Sequence, residues 1–235
     1  MPVPFRLSWR TFPTCAGGPG IHAPSLVLTF LVPWSPSDIA PIAARALRDA
    51  AAALDAEQSP RGLDSLDELA LHPILATAFA ADSLGVHREQ PYPGARGHPI
   101  RRERERCDLV LTTCPGLPLL DPVAARVERH AAENNLFAQV LADPPAPPGV
   151  ACDDALWLEL KSVGQFCFTD GIPGPNPTYI SDMTACLIDL SKLLRDPIIL
   201  HAAALTIIFA ADERTLRHDA GVTIERALNL SLIHI

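Results

Sequence analysis

Hydrophobic positions along the chain fall into helical and strand periods in turn. From Ser37 to about Gln58 an Ala-rich stretch carries Ile39, Ile42, Ala46 and Leu54 along one side and Arg45, Arg48 and Asp49 along the other, which predicts an amphipathic helix. Ser59-Pro60-Arg61-Gly62 breaks it. A second helix is expected over about Leu66–Ser83, with Leu69, Ile74, Leu75 and Phe79 as its apolar stripe, a kink or late start at Pro73, and Gly85 as C-cap. From Val86 the period drops to two, giving strands over Val86–Tyr92 and Arg102–Thr112, joined by the Pro/Gly-rich residues 91–99. Asp121 opens a third expected helix to about Leu141, closed by the proline run of residues 143–149. Ala155–Val163 alternates strictly, with Leu156, Leu158 and Leu160 on one face and Trp157, Glu159 and Lys161 on the other. A loop at Pro173–Pro177, a helix over Ser181–Arg195 with Met183, Leu187, Leu190 and Leu194 inward, and a core strand at Leu205–Ala210 complete the series.

This order describes an α/β protein of one domain, residues 37–229, with an extra helix inserted between the second and third strands. Residues 1–36 carry Pro2, Pro4, Pro13, Pro19, Pro24, Pro33 and Pro36 and read as irregular around one short apolar run, Ser25–Val32. Residues 230–235 read like translated sequencing-adapter sequence and are expected to be a non-native tail.

Composition narrows the function classes. A hydrophobic content of 48% with 20% charged residues fits a globular chain, and the 24 prolines exclude an all-helical one. The net charge of −8 lacks the basic excess of most nucleic-acid binders, so binding of that kind must rest on a local patch. The six cysteines include no C-x₂-C pair, which argues against a structural zinc site. No secretory signal or membrane span is legible, so a reducing cytoplasm is the expected compartment. Walker, G-x-S-x-G and G-x-G-x-x-G motifs are missing too. His22, His72, His87, His130, His201 and His218 form no metal-ligand spacing, and most of them read as surface or satisfied core residues.

Chemistry concentrates in two strands, Arg106-Cys-Asp-Leu-Val-Leu111 and Leu156-Trp-Leu-Glu-Leu-Lys-Ser162. Glu-x-Lys alone reads as a solvated ion pair on a wet strand face. Here the opposite face is all Leu, and Asp108 lies in an apolar run where an unpaired carboxylate is costly. These segments resemble the PD-(D/E)xK nuclease superfamily, with Asp108, Glu159 and Lys161 at the positions of its motif. The resemblance implies a restriction-endonuclease-like αβββαβ core, its mixed sheet flanked by helices. It also implies Mg²⁺ (or Mn²⁺) held by Asp108, Glu159 and the Leu160 carbonyl, Lys161 orienting the attacking water, and hydrolysis of nucleic acid, DNA before RNA. Two carboxylates and retained waters suit Mg²⁺, and residues i and i+2 of a strand share a face. The long interval from Asp108 to Glu159 requires the Asp121–Leu141 helix as an insertion.

Secondary candidates follow. Glu68 is a further metal ligand where the family keeps a helix carboxylate, or else part of a Ser65-Leu-Asp-Glu68 capping box. Glu89 could approach from the first strand. Gln165 could meet the scissile phosphate, or else close the strand end with a hydrogen bond. Arg102, Arg104 and Arg106 would share a face with Asp108 and track phosphates, or else belong to a mixed-charge hairpin with Glu103 and Glu105. A non-catalytic binding or assembly module of the same fold is the alternative, motivated by the acidic total and by apolar Trp157 on the proposed active face. A homodimer is open in either case, and no membrane partner is expected.

Overall fold

In a computed structural model, residues 25–30, 34–94, 106–121, 148–169 and 172–233 are described. The elements are β1 (Ser25–Phe30), α1 (Pro36–Ala56), α2 (Glu68–Ala81), β2 (Gly85–Pro91), β3 (Arg106–Thr112), β4 (Leu156–Gly164), β5 (Phe166–Thr169), β6 (Ile172–Pro175), α3 (Tyr179–Arg195), β7 (His201–Phe209) and α4 (Glu213–Ile233). Five strands form a mixed sheet in the order β1-β7-β4-β3-β2, where only β4 and β7 are parallel. An α/β protein with helices on both faces of the sheet is the result. Parallel strands need a crossover, and here the β5–β6 hairpin and α3 supply it.

The Leu face of β4 meets Leu109 and Leu111 of β3, Leu205 and Ile207 of β7, and the inner sides of α1 and α2. The other face sets Trp157 with Val110, Ala202 and Ala204 under Cys186, Leu190 and Leu193 of α3. From Leu156 to Leu160 β4 is buried on both faces, Glu159 included. Trp157 is 1% exposed and donates its indole N–H to the Cys152 carbonyl at 2.9 Å, so it belongs to the core rather than to an open face.

Several expectations shift at this level. The buried side of α1 is Ile39, Ala40, Ala43, Ala44 and Leu47. In α2 it is Leu71, His72, Leu75 and Phe79, which turns Leu69 outward to 64% exposure. Pro73 stands inside α2 in its second turn, where little of the backbone ladder precedes it. Gly85 is no helix cap: Ser83 takes the left-handed conformation (φ 64°), and Gly85 begins β2. The Pro173–Pro177 loop is partly a strand, since β6 pairs with β5 through Phe166↔Pro175 and Phe168↔Pro173. After β7 the chain forms α4, which no periodicity in the sequence analysis announced and which runs into the suspected tail. The expected Asp121–Leu141 helix beyond Asp121, and residues 102–104, lie outside the described residues. Among the described residues, no helix is long and apolar enough to cross a membrane.

Candidate metal centre

The site exists because β3 and β4 part company. Their ladder covers Leu111↔Leu156, Val110↔Trp157 and Leu109↔Leu158, whereas β4 continues along β7 as far as Gly164↔Phe209. Among the described residues, β4 therefore has one edge without a strand partner from Glu159 onward. Backbone donors left on such an edge need acceptors, and two carboxylates provide them. Asp108 Oδ2 accepts the Leu160 N–H at 2.7 Å, and Glu68 Oε2 accepts the Ser162 N–H at 3.1 Å. A strand residue's N–H and C=O leave the same edge, so the Leu160 carbonyl faces this notch as well.

Glu68 reaches the notch from the first turn of α2. The cap of that helix is Asp67, whose Oδ1 accepts the Ala70 N–H at 2.8 Å, while Ser65 Oγ donates to the Gly62 carbonyl at 2.7 Å. The capping box is thus not formed, and Glu68 is free to turn toward β4. There it also meets Lys161, Nζ to Oε2 3.2 Å. Burial works against the Lys161 charge, but the Glu68 carboxylate outweighs it, and the ammonium is held above its ordinary pKa.

One helical turn after Glu68 lies His72, wholly buried, with neither ring nitrogen hydrogen-bonded. Its Nε2 is 3.9 Å from Asp108 Oδ1 and its Nδ1 is 3.6 Å from Glu89 Oε1. Glu68, His72 and Asp108 each offer a donor atom within 4.8 Å of the others, a group able to hold a metal ion. His72 is therefore neither a surface nor a satisfied core residue. Its signal in the sequence was the Glu68-x-x-x-His72 spacing, which places both side chains on one helix face, although nothing in the sequence directs that face to Asp108.

Glu159 stands across from Asp108 on the α3 side of the sheet and accepts a short hydrogen bond from the Tyr92 hydroxyl. Burial, then the Asp108 charge, pushes its pKa up to about 8, and burial raises Asp108 as well. Tyr92, which stacks on Trp157 at 6.5 Å, escaped the sequence analysis. Glu159 lies outside the Glu68–His72–Asp108 group, adjoining it through Asp108.

The remaining candidates divide. Glu89 has φ 52°, an unusual twist for a non-glycine residue that accompanies its turn toward His72. Gln165 closes the end of β4, its Oε1 accepting the Ala211 N–H at 2.8 Å. Arg106 is exposed and donates to the Glu89 carbonyl at 2.7 Å; Arg102 and Arg104 lie outside the described residues. Glu68 and Lys161 line an open cleft of about 1150 Å³, whereas Asp108 and Glu159 are more buried and are not part of its lining.

Comparison with known proteins adds no relative. No family model, curated protein or solved structure matches the chain.

Proposed function

We propose that this protein is a metal-dependent phosphodiesterase acting on nucleic acid, DNA in the first instance, with a PD-(D/E)xK-like site on a restriction-endonuclease-like core. The observation that carries the reading is the notch itself. Three carboxylates, an ammonium and an imidazole without a hydrogen bond converge where two strands diverge. A buried, unsatisfied polar group calls for an explanation such as an ion, and the His72 ring nitrogens beside Asp108 fit a divalent cation.

Asp108, Glu68 and His72 would hold that cation, with Glu159 and the Leu160 carbonyl in reach of the same notch. When bound, it supplies Lewis acidity and lowers the pKa of coordinated water. The chain's own residues do the rest. Lys161 keeps its charge beside Glu68 and presents N–H donors at the cleft, where a phosphate oxygen or an attacking water can be oriented. Tyr92 holds one oxygen of Glu159 and leaves the other for the site. Gln165, bound to the Ala211 amide, supports the end of β4 rather than approaching phosphate.

Purified protein should cleave DNA only with Mn²⁺ or Mg²⁺, and Asp108→Ala and Lys161→Ala should each lose about 10²-fold or more. Equal cleavage by all three proteins sinks the proposal. A second reading, a non-catalytic module of the same fold, draws on one observation. Asp108 and Glu68 already satisfy strand-edge amides, and Glu159 already has Tyr92, so the carboxylates have structural work without a metal. Calorimetric titration separates the two, because a module of that kind takes up no Mn²⁺ at millimolar concentration.

A further inference from the structure

The cleft leading to Lys161 has a wall that the metal-site reading leaves unused. Phe166 and Phe168 of β5 line it, 46% and 47% exposed, although burial is the usual fate of phenylalanine. As residues i and i+2 of a strand they share one face, separated by roughly 6.6–6.8 Å along the backbone. That spacing suits a planar ring held between or upon them. Opposite them, Pro175 and Pro173 of β6 lack N–H donors, so the hairpin edge is poorly suited to strand addition by another chain.

Charge decides what can lie there. The cleft carries Asp64, Asp67, Glu68 and Asp182 against Arg61 and Lys161. An acidic wall repels a phosphate backbone laid along it, as an uninterrupted duplex would require. It tolerates bases, whose amino groups donate hydrogen bonds to carboxylates and whose faces stack on aromatic rings.

We infer that the substrate class is nucleic acid with unpaired nucleotides, a single strand or a flap, whose bases stack on Phe166 and Phe168 while one phosphate reaches Lys161. This rests on the nuclease reading for the phosphate and on the hairpin for the bases.

The test uses a fluorescent 20-nucleotide single strand and the matching duplex, with Ca²⁺ in place of Mg²⁺ or Mn²⁺, and anisotropy as readout. Cleavage with Mn²⁺ is measured in parallel. The single strand should bind more tightly than the duplex. Phe166→Ala/Phe168→Ala should weaken single-strand binding by roughly tenfold or more and leave duplex binding unchanged. Phe166→Trp/Phe168→Trp should keep it. Both pairs of changes fall on exposed side chains, and circular dichroism checks the fold. Tighter duplex binding, or an Ala variant that binds like the parent, overturns the inference; the nuclease reading survives if Mn²⁺-dependent cleavage persists. Neither binding nor cleavage of any nucleic acid by the parent overturns both. A dimer that dissociates in the Ala variant, without a change in single-strand affinity, assigns the two rings to a second copy and also overturns it.

Discussion

A buried polar group without a partner costs on the order of 1–3 kcal/mol, and His72 bears that cost at both ring nitrogens unless something fills the space beside Asp108 and Glu89. His72→Leu should accordingly leave the metal-free protein at least as stable as the parent while abolishing the rise in Tm that Mn²⁺ produces; a retained Mn²⁺ shift in a thermal melt would refute the ligand role. An imidazole in the donor set also favours Mn²⁺ over Mg²⁺, which prefers an all-oxygen shell, so Mn²⁺ should act at lower concentration. Glu159 gives a pH dependence. Its folded pKa of about 8 stands above the ordinary 4.5. The neutral carboxyl therefore stabilises the fold fully below about pH 4.5, and that contribution is lost as pH rises through 8. The Tm of chelator-treated protein should fall by a few degrees between pH 5 and 8. In Glu159→Gln this part of the fall should vanish.

Among the elements, α2 and β4 fix the site and are joined only where sequence neighbours cannot show it. Reading Leu69 inward and Gly85 as a cap both followed from treating α2 in isolation. In the fold, Leu71, His72, Leu75 and Phe79 face the sheet, and the whole stripe rotates with them. Gly85 is small for a different reason: an added Cβ would lie 2.1 Å from Thr112 Oγ1 and 2.9 Å from the Cys114 carbonyl oxygen. Gly85→Ala should cost about 1–3 kcal/mol through overpacking. A helix cap in the left-handed conformation would lose through backbone strain instead. The distinction is testable by Gly85→Ser, which a cap tolerates little better than Ala and this close contact not at all. Strand β4 was the most legible element, because its Leu alternation and the acid–base pair on the other side fix which way each residue points. The edge it shows beyond Leu158 was invisible, since pairing depends on where β3 turns away from β4.

At the scale of the whole molecule, the proposed binding of nucleic acid by an acid-rich chain has to rest on few cations. With Arg61 and Lys161 as the basic groups of the cleft, single-strand affinity should fall with salt at a slope near −1.4, about −0.7 for each contact. A slope near −3.5 would bring Arg102, Arg104 and Arg106 into the interface, and a salt titration of binding distinguishes the two. The centre of the sheet sets the stability of everything around it. Leu158 is fully buried on the central strand, and Leu158→Ala should cost about 2–5 kcal/mol in a denaturant melt, with metal binding lost in parallel. Sequence alone settled the α/β class and the inward turn of Leu156, Leu158 and Leu160 on β4, because side-chain direction in a strand follows from local geometry; it took the Trp157 face for an open one, which α3 covers. Tertiary structure alone decided that β3 leaves β4 before Glu159, that Glu68 turns from its helix to the strand edge this opens, and that His72 comes to rest beside Asp108. Those contacts join residues far apart in the chain, and their geometry is set by how strands end and helices rotate on the sheet, which no local period encodes.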